Sequence, residues 1–288
     1  MKGYLLVNSF QKKEKYFDLY NLFEKAAIKQ NIDFEVIRSI DLLKSIQEGY
    51  SNLPDFGIIY DKDYYFAKSI ENSGLRLMNS AEANILCDDK ILTSIRLEEH
   101  NVPMPKTIFG PKRYYNDEVD NKEVAEKILK LIDFPIIVKK NKGSFGLGVY
   151  LINNMEEFLD LLNSEIKNGE FLVQEYIEES KGTDFRINIV GDKVVSTVKR
   201  NNPNDFRSNV TNGGTMVKCD ADEEVKKIAL DASKALGMDF CGADILLSNR
   251  GPLVCEVNAN PHFRTTLDAT GLNMAEDIIE YAIREASK

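Results

Sequence analysis

The stretch Cys241-Gly-Ala-Asp-Ile-Leu-Leu-Ser-Asn-Arg-Gly-Pro-Leu-Val-Cys-Glu-Val-Asn258 reads as two strands closed by a tight turn. Asn249-Arg250-Gly251 supplies a glycine where a three-residue loop needs a left-handed residue. Pairing Leu247 with Leu253 then sets Asp244 opposite Glu256. The period of two brings Asn258 to the same face and sends Ala243, Ile245, Cys255 and Val257 to the other. Two carboxylates facing each other repel, so either solvent screens them or a cation sits between them. Donors that are all oxygen suit magnesium or manganese. Read alone, the same face also fits an amphipathic hairpin with its polar side in water.

Upstream lies Phe134-Pro-Ile-Ile-Val-Lys139-Lys140, then Asn141-Lys142-Gly143-Ser144-Phe145-Gly146-Leu147-Gly148 and another strand. A Walker loop opens a helix, whereas both flanks here are extended, so this is a glycine-bearing hairpin turn. Glycines at 143, 146 and 148 let the backbone bend over phosphate oxygens, and Lys139 offers a cation from the strand. A mobile hairpin with no ligand has the same composition. Between these segments, Lys199-Arg200, Asp205-Phe206-Arg207-Ser208-Asn209 and Gly213-Gly214 mix guanidinium groups with amides and glycines. That chemistry suits phosphate or carboxylate, and equally a solvated loop of mixed charge.

The chain begins as an α/β unit: strand Gly3–Ser9, amphipathic helix Lys15–Gln30, strands Asp33–Ser39, Phe56–Tyr60 and Leu75–Asn79. Ser80 caps a helical stretch from Ala81 to His100, which Val102-Pro-Met-Pro105 ends. A small α+β unit follows, with helices Asn121–Ile132 and Met155–Ser164 and strands Phe134–Lys140, Gly148–Asn153 and Phe171–Tyr176. Strands Phe185–Val190 and Lys193–Lys199 flank the Gly191-Asp192 turn, and helices Asp222–Leu236 and Met274–Ala286 bracket the hairpin.

The whole chain has 288 residues, 43% of them hydrophobic, enough for a substantial core in one to three domains. With 46 acidic against 37 basic residues the net charge is −9, which argues against nonspecific binding to nucleic acid or anionic membrane. Met1-Lys2-Gly3-Tyr4 runs directly into a short apolar strand, so a cytoplasmic enzyme is the expectation. Cys87, Cys219, Cys241 and Cys255 show no close pairing, and His100 and His262 complete no zinc spacing; reduced, mostly buried thiols are expected.

Taken in chain order, the lysine strand with its glycine turn, Gln174-Glu175-Tyr176-Ile177, the Asp205–Asn209 loop, Asp244-Ile245-Leu246 and Glu256-Val257-Asn258 resemble the ATP-grasp superfamily, most closely its RimK-like (alpha-L-glutamate ligase) branch. The similarity runs from about Asn79 to the C-terminus. It implies an ATP-grasp fold, α/β and α+β, with an N-terminal α/β domain (1–88), a central or lid subdomain (89–175) and a C-terminal subdomain bearing the magnesium site (176–288). It places Lys90 and Lys139 at the ATP phosphates, with the turn at Gly143, Ser144 and Gly146 as a lid. Gln174, Glu175, Tyr176 and Ile177 belong to the adenine edge, Asp184 to the ribose side, and Arg207 and Asn209 to the phosphates. Asp244, Glu256 and Asn258 would hold magnesium, and Arg200 would face the transferred phosphate and the acceptor carboxylate, with Arg207 also catalytic. Relatives of this type commonly form dimers or tetramers. After Asn258 the branch has small residues and a glycine, where this chain reads Ala259-Asn-Pro-His-Phe-Arg264; Thr211-Asn212 replaces a more basic pair. Both departures fall where the resemblance implies that substrates bind.

The chemistry implied is phosphoryl transfer from ATP to a carboxylate, then attack of an amine on the acylphosphate, releasing ADP and phosphate. The partners would be an amino acid or small carboxylate and an amine or peptide acceptor. A noncatalytic ATP-binding module and a small-molecule kinase are the alternatives. The first does not account for both carboxylates and the arginines together, and amide product would exclude the second. His262 is read either as a base for the amine or as a packing residue beside Pro261 and Phe263.

Overall fold

In this computed structural model, residues 1–42, 49, 53–112, 119–167 and 169–288 are described. Strands β1 (Lys2–Val7), β2 (Asp33–Arg38), β3 (Phe56–Ile59) and β4 (Leu77–Met78) form a parallel sheet in the order β2-β1-β3-β4. Helices α1 (Glu14–Lys29) and α2 (Tyr64–Asn72) connect them. All four residues of β3 are buried, as a parallel strand covered on both faces requires. α1 buries Leu19, Tyr20, Phe23, Ala26 and Ala27, a stripe at helical spacing.

The expected single helix over 81–100 is two helices, α3 (Ala81–Asp88) and α4 (Lys90–Glu99). Asp89 between them is extended, and its carboxylate accepts from the Leu92 amide, so it caps the second helix. The break puts Lys90 on the first turn of α4, where Asn141 fastens it: the Asn141 carbonyl and side chain accept from the Lys90 and Ile91 amides.

Strands β5 (Thr107–Phe109), β6 (Ile136–Lys140), β7 (Val149–Ile152) and β8 (Phe171–Glu175) make an antiparallel sheet, β5-β8-β6-β7. Helices α5 (Asn121–Leu129) and α6 (Met155–Asn163) lie against it over a core that includes Ile136, Val138, Phe158, Leu162, Phe171 and Val173.

The third sheet is antiparallel, β11-β10-β9-β12-β13, from β9 (Thr183–Val190), β10 (Lys193–Asn201), β11 (Thr215–Lys218), β12 (Phe240–Ser248) and β13 (Gly251–Asn258). Helix α7 (Glu223–Ala235) covers its apolar face with Val225, Ile228, Ala229 and Ala232, and α8 (Arg264–Thr270) and α9 (Met274–Ala286) close the chain. β11 and α8 are elements the sequence pattern did not delimit.

The cores do not follow the order of segments along the chain. Ala83, Cys87, Leu97 and Val102 pack with the third sheet, and Met274, Ala275, Ile278 and Ile279 of α9 pack with Leu5, Phe23 and Ile58 of the first unit. Asn79, fully buried at φ 49°, bonds the amides of Asp239 and Phe240 and the carbonyls of Phe240 and Ala259. The first and third sheets are thereby pinned together, while the middle sheet keeps a core of its own.

The β12–β13 hairpin corrects the expected register at its tip. Ser248 pairs with Gly251, Leu247 with Pro252 and Leu246 with Leu253, so the turn holds two residues, not three. A bulge then takes up one residue at Cys255 and restores Asp244 opposite Glu256. The bulge also overturns the expected facing of Cys255, whose side chain borders the cavity that Asp244 and Glu256 line.

Candidate active site

Opposite α7, the third sheet presents polar cross-strand rows. Arg200 pairs with Asp184; Arg186 with Asp244 and then Glu256; Asn188 with Gly242 and then Asn258. The rows arise because Asp184, Arg186 and Asn188 alternate with the apolar Phe185 and Ile187, so all three face one way. Arg186 grips both Asp244 oxygens, the Nη2–Oδ2 bond being 2.7 Å. Arg200 bridges Asp244 at 2.9 Å and Asp184, which also accepts from the Ser208 hydroxyl at 2.6 Å.

Asp184, Asp244 and Arg200 are nearly inaccessible to solvent, and their ionisation follows their partners. Burial pushes the Asp244 carboxyl up, but Arg186 and Arg200 together pull it below the usual range. Asp184 ends above that range, because burial and the neighbouring Asp244 outweigh Arg200. Burial works against the Arg200 charge too, and the two carboxylates overcome it and raise its pKa. Removing any one member strands a charge in a dry setting.

A cavity opens between this face and the middle sheet. All the predicted site residues line it except Asn258: Lys90, Lys139, the Gly143–Ser144–Gly146 turn, Gln174 to Ile177, Asp184, Arg200, Arg207, Asn209, Asp244 and Glu256. Lys139 is buried with its ammonium 3.5 Å from the Cys255 carbonyl and 3.7 Å from its sulfur. No carboxylate pairs with it among the described residues. Lys90 donates to the Gly143 carbonyl at 3.1 Å and stands 3.8 Å from Glu256. Gln174 is tied to Thr107 at 2.8 Å, whereas the Glu175 carboxylate turns outward to Arg250 and the Lys106 amide. The Tyr176 hydroxyl is buried without a hydrogen-bond partner among the described residues. Arg207, oriented by Asp205, donates to the Gly146 carbonyl at 2.9 Å and so ties the polar loop to the glycine turn. Gly146 and Gly148 have φ of 73° each, as expected of the turn; Phe145, at 60°, shares the left-handed region with them.

A second cavity, about 550 Å³, lies beyond the first, against α1, the end of β3 and the 257–266 segment. Tyr16, Tyr20, Tyr60, Asp61, Lys62, Arg186, Asn258 and His262 are among its walls. Burial, with Lys15 nearby, pushes the His262 imidazole below its ordinary value, and its Nε2 has no partner among the described residues. The cavities meet at Lys90, Gly143, Ser144, Arg200, Asn209 and Glu256, which line both.

The sequence model of the RimK-like ATP-grasp domain matches residues 87–282. The chain belongs to the RimK-like ATP-grasp family. Within this family it is 35% identical to human beta-citrylglutamate synthase B over 225 residues, 77% of this chain and 56% of that protein. A probable alpha-L-glutamate ligase of Legionella pneumophila (strain Corby) is 33% identical over 222 residues, 76% of this chain and 70% of the relative. The ATP-grasp architecture is also that of D-alanine–D-alanine ligase from Bacillus anthracis, with a TM-score of 0.76 at 19% identity over 100% of this chain and 99% of that one. The chain thus spans little more than half the length of the human relative.

Arg186, Ser208 and Lys62 are residues the sequence reading did not single out. The alternation around Asp184 marks Arg186 as a neighbour on the same face. Nothing local marks Lys62, which reaches the turn across 82 residues to bond Ser144 at 3.0 Å. Asn258 stands apart from Asp244 and Glu256 in bordering only the second cavity, where its amide nitrogen lies 3.4 Å from the Gly242 carbonyl. Among the described residues no three carboxylate, thiol or imidazole groups gather as a metal site, so a cation here would need an amide or a ligand oxygen as its third donor.

Proposed function

We propose that this chain is an ATP-dependent carboxylate–amine ligase, with ATP in the first cavity and the substrate to be activated in the second. The observation that carries the reading is their junction, where Lys90, Arg200 and Glu256 stand between the two spaces. The family's named members support it: human beta-citrylglutamate synthase B and the probable alpha-L-glutamate ligase both carry names of amide-forming enzymes. The proposed substrates are an amino acid such as glutamate and a carboxylate or peptide acceptor.

A divalent cation, magnesium or manganese, fits the donor set. Around the junction Asp184, Asp244 and Glu256 are paired with Arg186, Arg200 and Lys90. A triphosphate would compete for Arg200 and Lys90, leaving Asp244 and Glu256 with the charge deficit that a divalent cation neutralises. Asn258 would add its amide oxygen. The cation would supply charge neutralisation on the phosphates.

The protein's own work is positioning. Lys139 and Lys90 would bind phosphate oxygens, Arg200 would orient the acceptor carboxylate, and the turn at 143–146 would shut out water that could hydrolyse an acylphosphate. No protein nucleophile is required. The test is product analysis with pairs drawn from candidate acids and amino acids. ADP and phosphate should appear in equal amounts, dependent on both partners; release of AMP, or phosphorylated acid without amide, would sink the reading.

A further inference from the structure

The glycine turn has two faces, and they serve different cavities. Gly146 and Leu147 face the first cavity, Phe145 faces the second, and Gly143 and Ser144 border both. Phe145 is the anomaly in this arrangement. Its φ of 60° belongs to a region that bulky L-residues avoid, and glycine would occupy it freely. Glycines stand at 146 and 148, yet an aromatic ring occupies 145 and is 42% exposed. Such a conformation persists where the surroundings fix it.

The surroundings here are specific. The Lys15 ammonium lies 4.6 Å from the Phe145 ring centre and 5.2 Å from that of Tyr16 on the same helix, so it sits near two aromatic rings. Tyr16 in turn meets His262 edge-on, with ring centres 5.7 Å apart. Lys15 has no carboxylate partner among the described residues. Two further contacts fix the turn against the first unit: Lys62 Nζ to Ser144 Oγ at 3.0 Å, and Lys142 Nζ to the Tyr64 hydroxyl at 2.7 Å.

We infer that Phe145, held by Lys15, is a specificity-determining positioning residue of the second cavity, so that the turn covering the nucleotide also shapes the space for the other substrate. Phe145, Lys15, Tyr16 and His262 form one continuous row from the turn, across α1, to the segment after β13. The row forms a wall of aromatic surface with an ammonium inserted in it, suited to a substrate with an apolar body and an anionic group. The inference rests on the ligase reading above.

The variants that test it are Phe145→Gly, which suits the backbone and removes the ring, and Phe145→Leu, which restores apolar bulk. Each of the twenty amino acids is supplied with Mg-ATP and each of the candidate acids, L-glutamate among them, and ADP release is followed. In Phe145→Gly the half-saturating amino-acid concentration should rise about fivefold or more and the rank order of amino acids should change. Half-saturation by ATP should stay within about twofold, and Phe145→Leu should recover part of the wild-type profile. An unchanged amino-acid profile in Phe145→Gly, or a tenfold loss confined to ATP, overturns this inference alone. A wild-type chain that binds a non-hydrolysable ATP analogue with magnesium, but that no pair stimulates, overturns the ligase reading and this inference with it.

Discussion

The cavity lined by Lys139 and Gln174 and the one lined by Tyr16 and His262 share a wall, but they are built by different means. The first is walled largely by strands: β6, β8, β9, β10, β12 and β13 supply Lys139, Gln174, Asp184, Arg200, Asp244 and Glu256, each placed by the two-residue period of a sheet. The second is assembled from the start of α1, the end of β3, a turn and the segment after β13, pieces up to about 250 positions apart. Strand walls suit the proposed reaction, which would need the same phosphate contacts every time. Loop walls tolerate exchange, and of the segments expected from the sequence to depart from the branch's pattern, Ala259 to His262 and Thr211 fall among them.

Breaking the shared wall should produce the largest effect. Arg200→Met leaves Asp184 and Asp244 with one cation, Arg186, between them, and should cost about 3 kcal/mol in chemical denaturation together with loss of turnover. Retained stability would mean that the buried charges are solvated. A cut confined to the first cavity should be smaller and one-sided. Lys139→Met removes a cation with no carboxylate partner among the described residues, so folding should change little while half-saturation by ATP rises about tenfold or more. An equal rise for the second substrate would erase the distinction between the two spaces. The smallest effect belongs to the second cavity and concerns pH. The folded state disfavours charged His262, so the unfolded chain binds the proton more readily. Stability is full above the ordinary imidazole pKa, about 6.5, and falls as pH drops below it toward the depressed folded value. His262→Gln should flatten that decline in denaturation midpoints measured between about pH 5 and 7. An unaltered slope would assign the decline to a group other than His262.

The same division explains what was legible in the sequence. Strands and their polar faces could be read by counting, and all but one of the candidate residues line one cavity. Asp244 and Glu256 do face each other, though by two offsetting errors: the turn is one residue shorter than Gly251 suggested, and the bulge at Cys255 restores the pairing. Bulges leave no pattern in a single sequence, so Cys255 was assigned to the wrong face. Arg186 was within reach of the same counting, whereas Asp184 came from the family resemblance alone. Lys62, Tyr16 and Lys15 were not, because their place is decided by how the first unit packs on the third, through contacts such as Asn79 with Asp239 and Phe240. The helix break at Asp89 was signalled only by a residue type that serves caps and interiors alike.

Asn79 has a mechanical consequence as well. Its hydrogen bonds weld the first and third sheets into a single fixed jaw, and α9, packed across both, stiffens it. The middle sheet keeps a core of its own and meets this jaw through side-chain contacts such as Lys62 with Ser144 and Arg207 with Gly146. On the proposed ligase reading, Asp244, Arg186 and Glu256 all stand on the fixed jaw, so the charges that would meet the phosphates are set in place by the fold before any nucleotide binds.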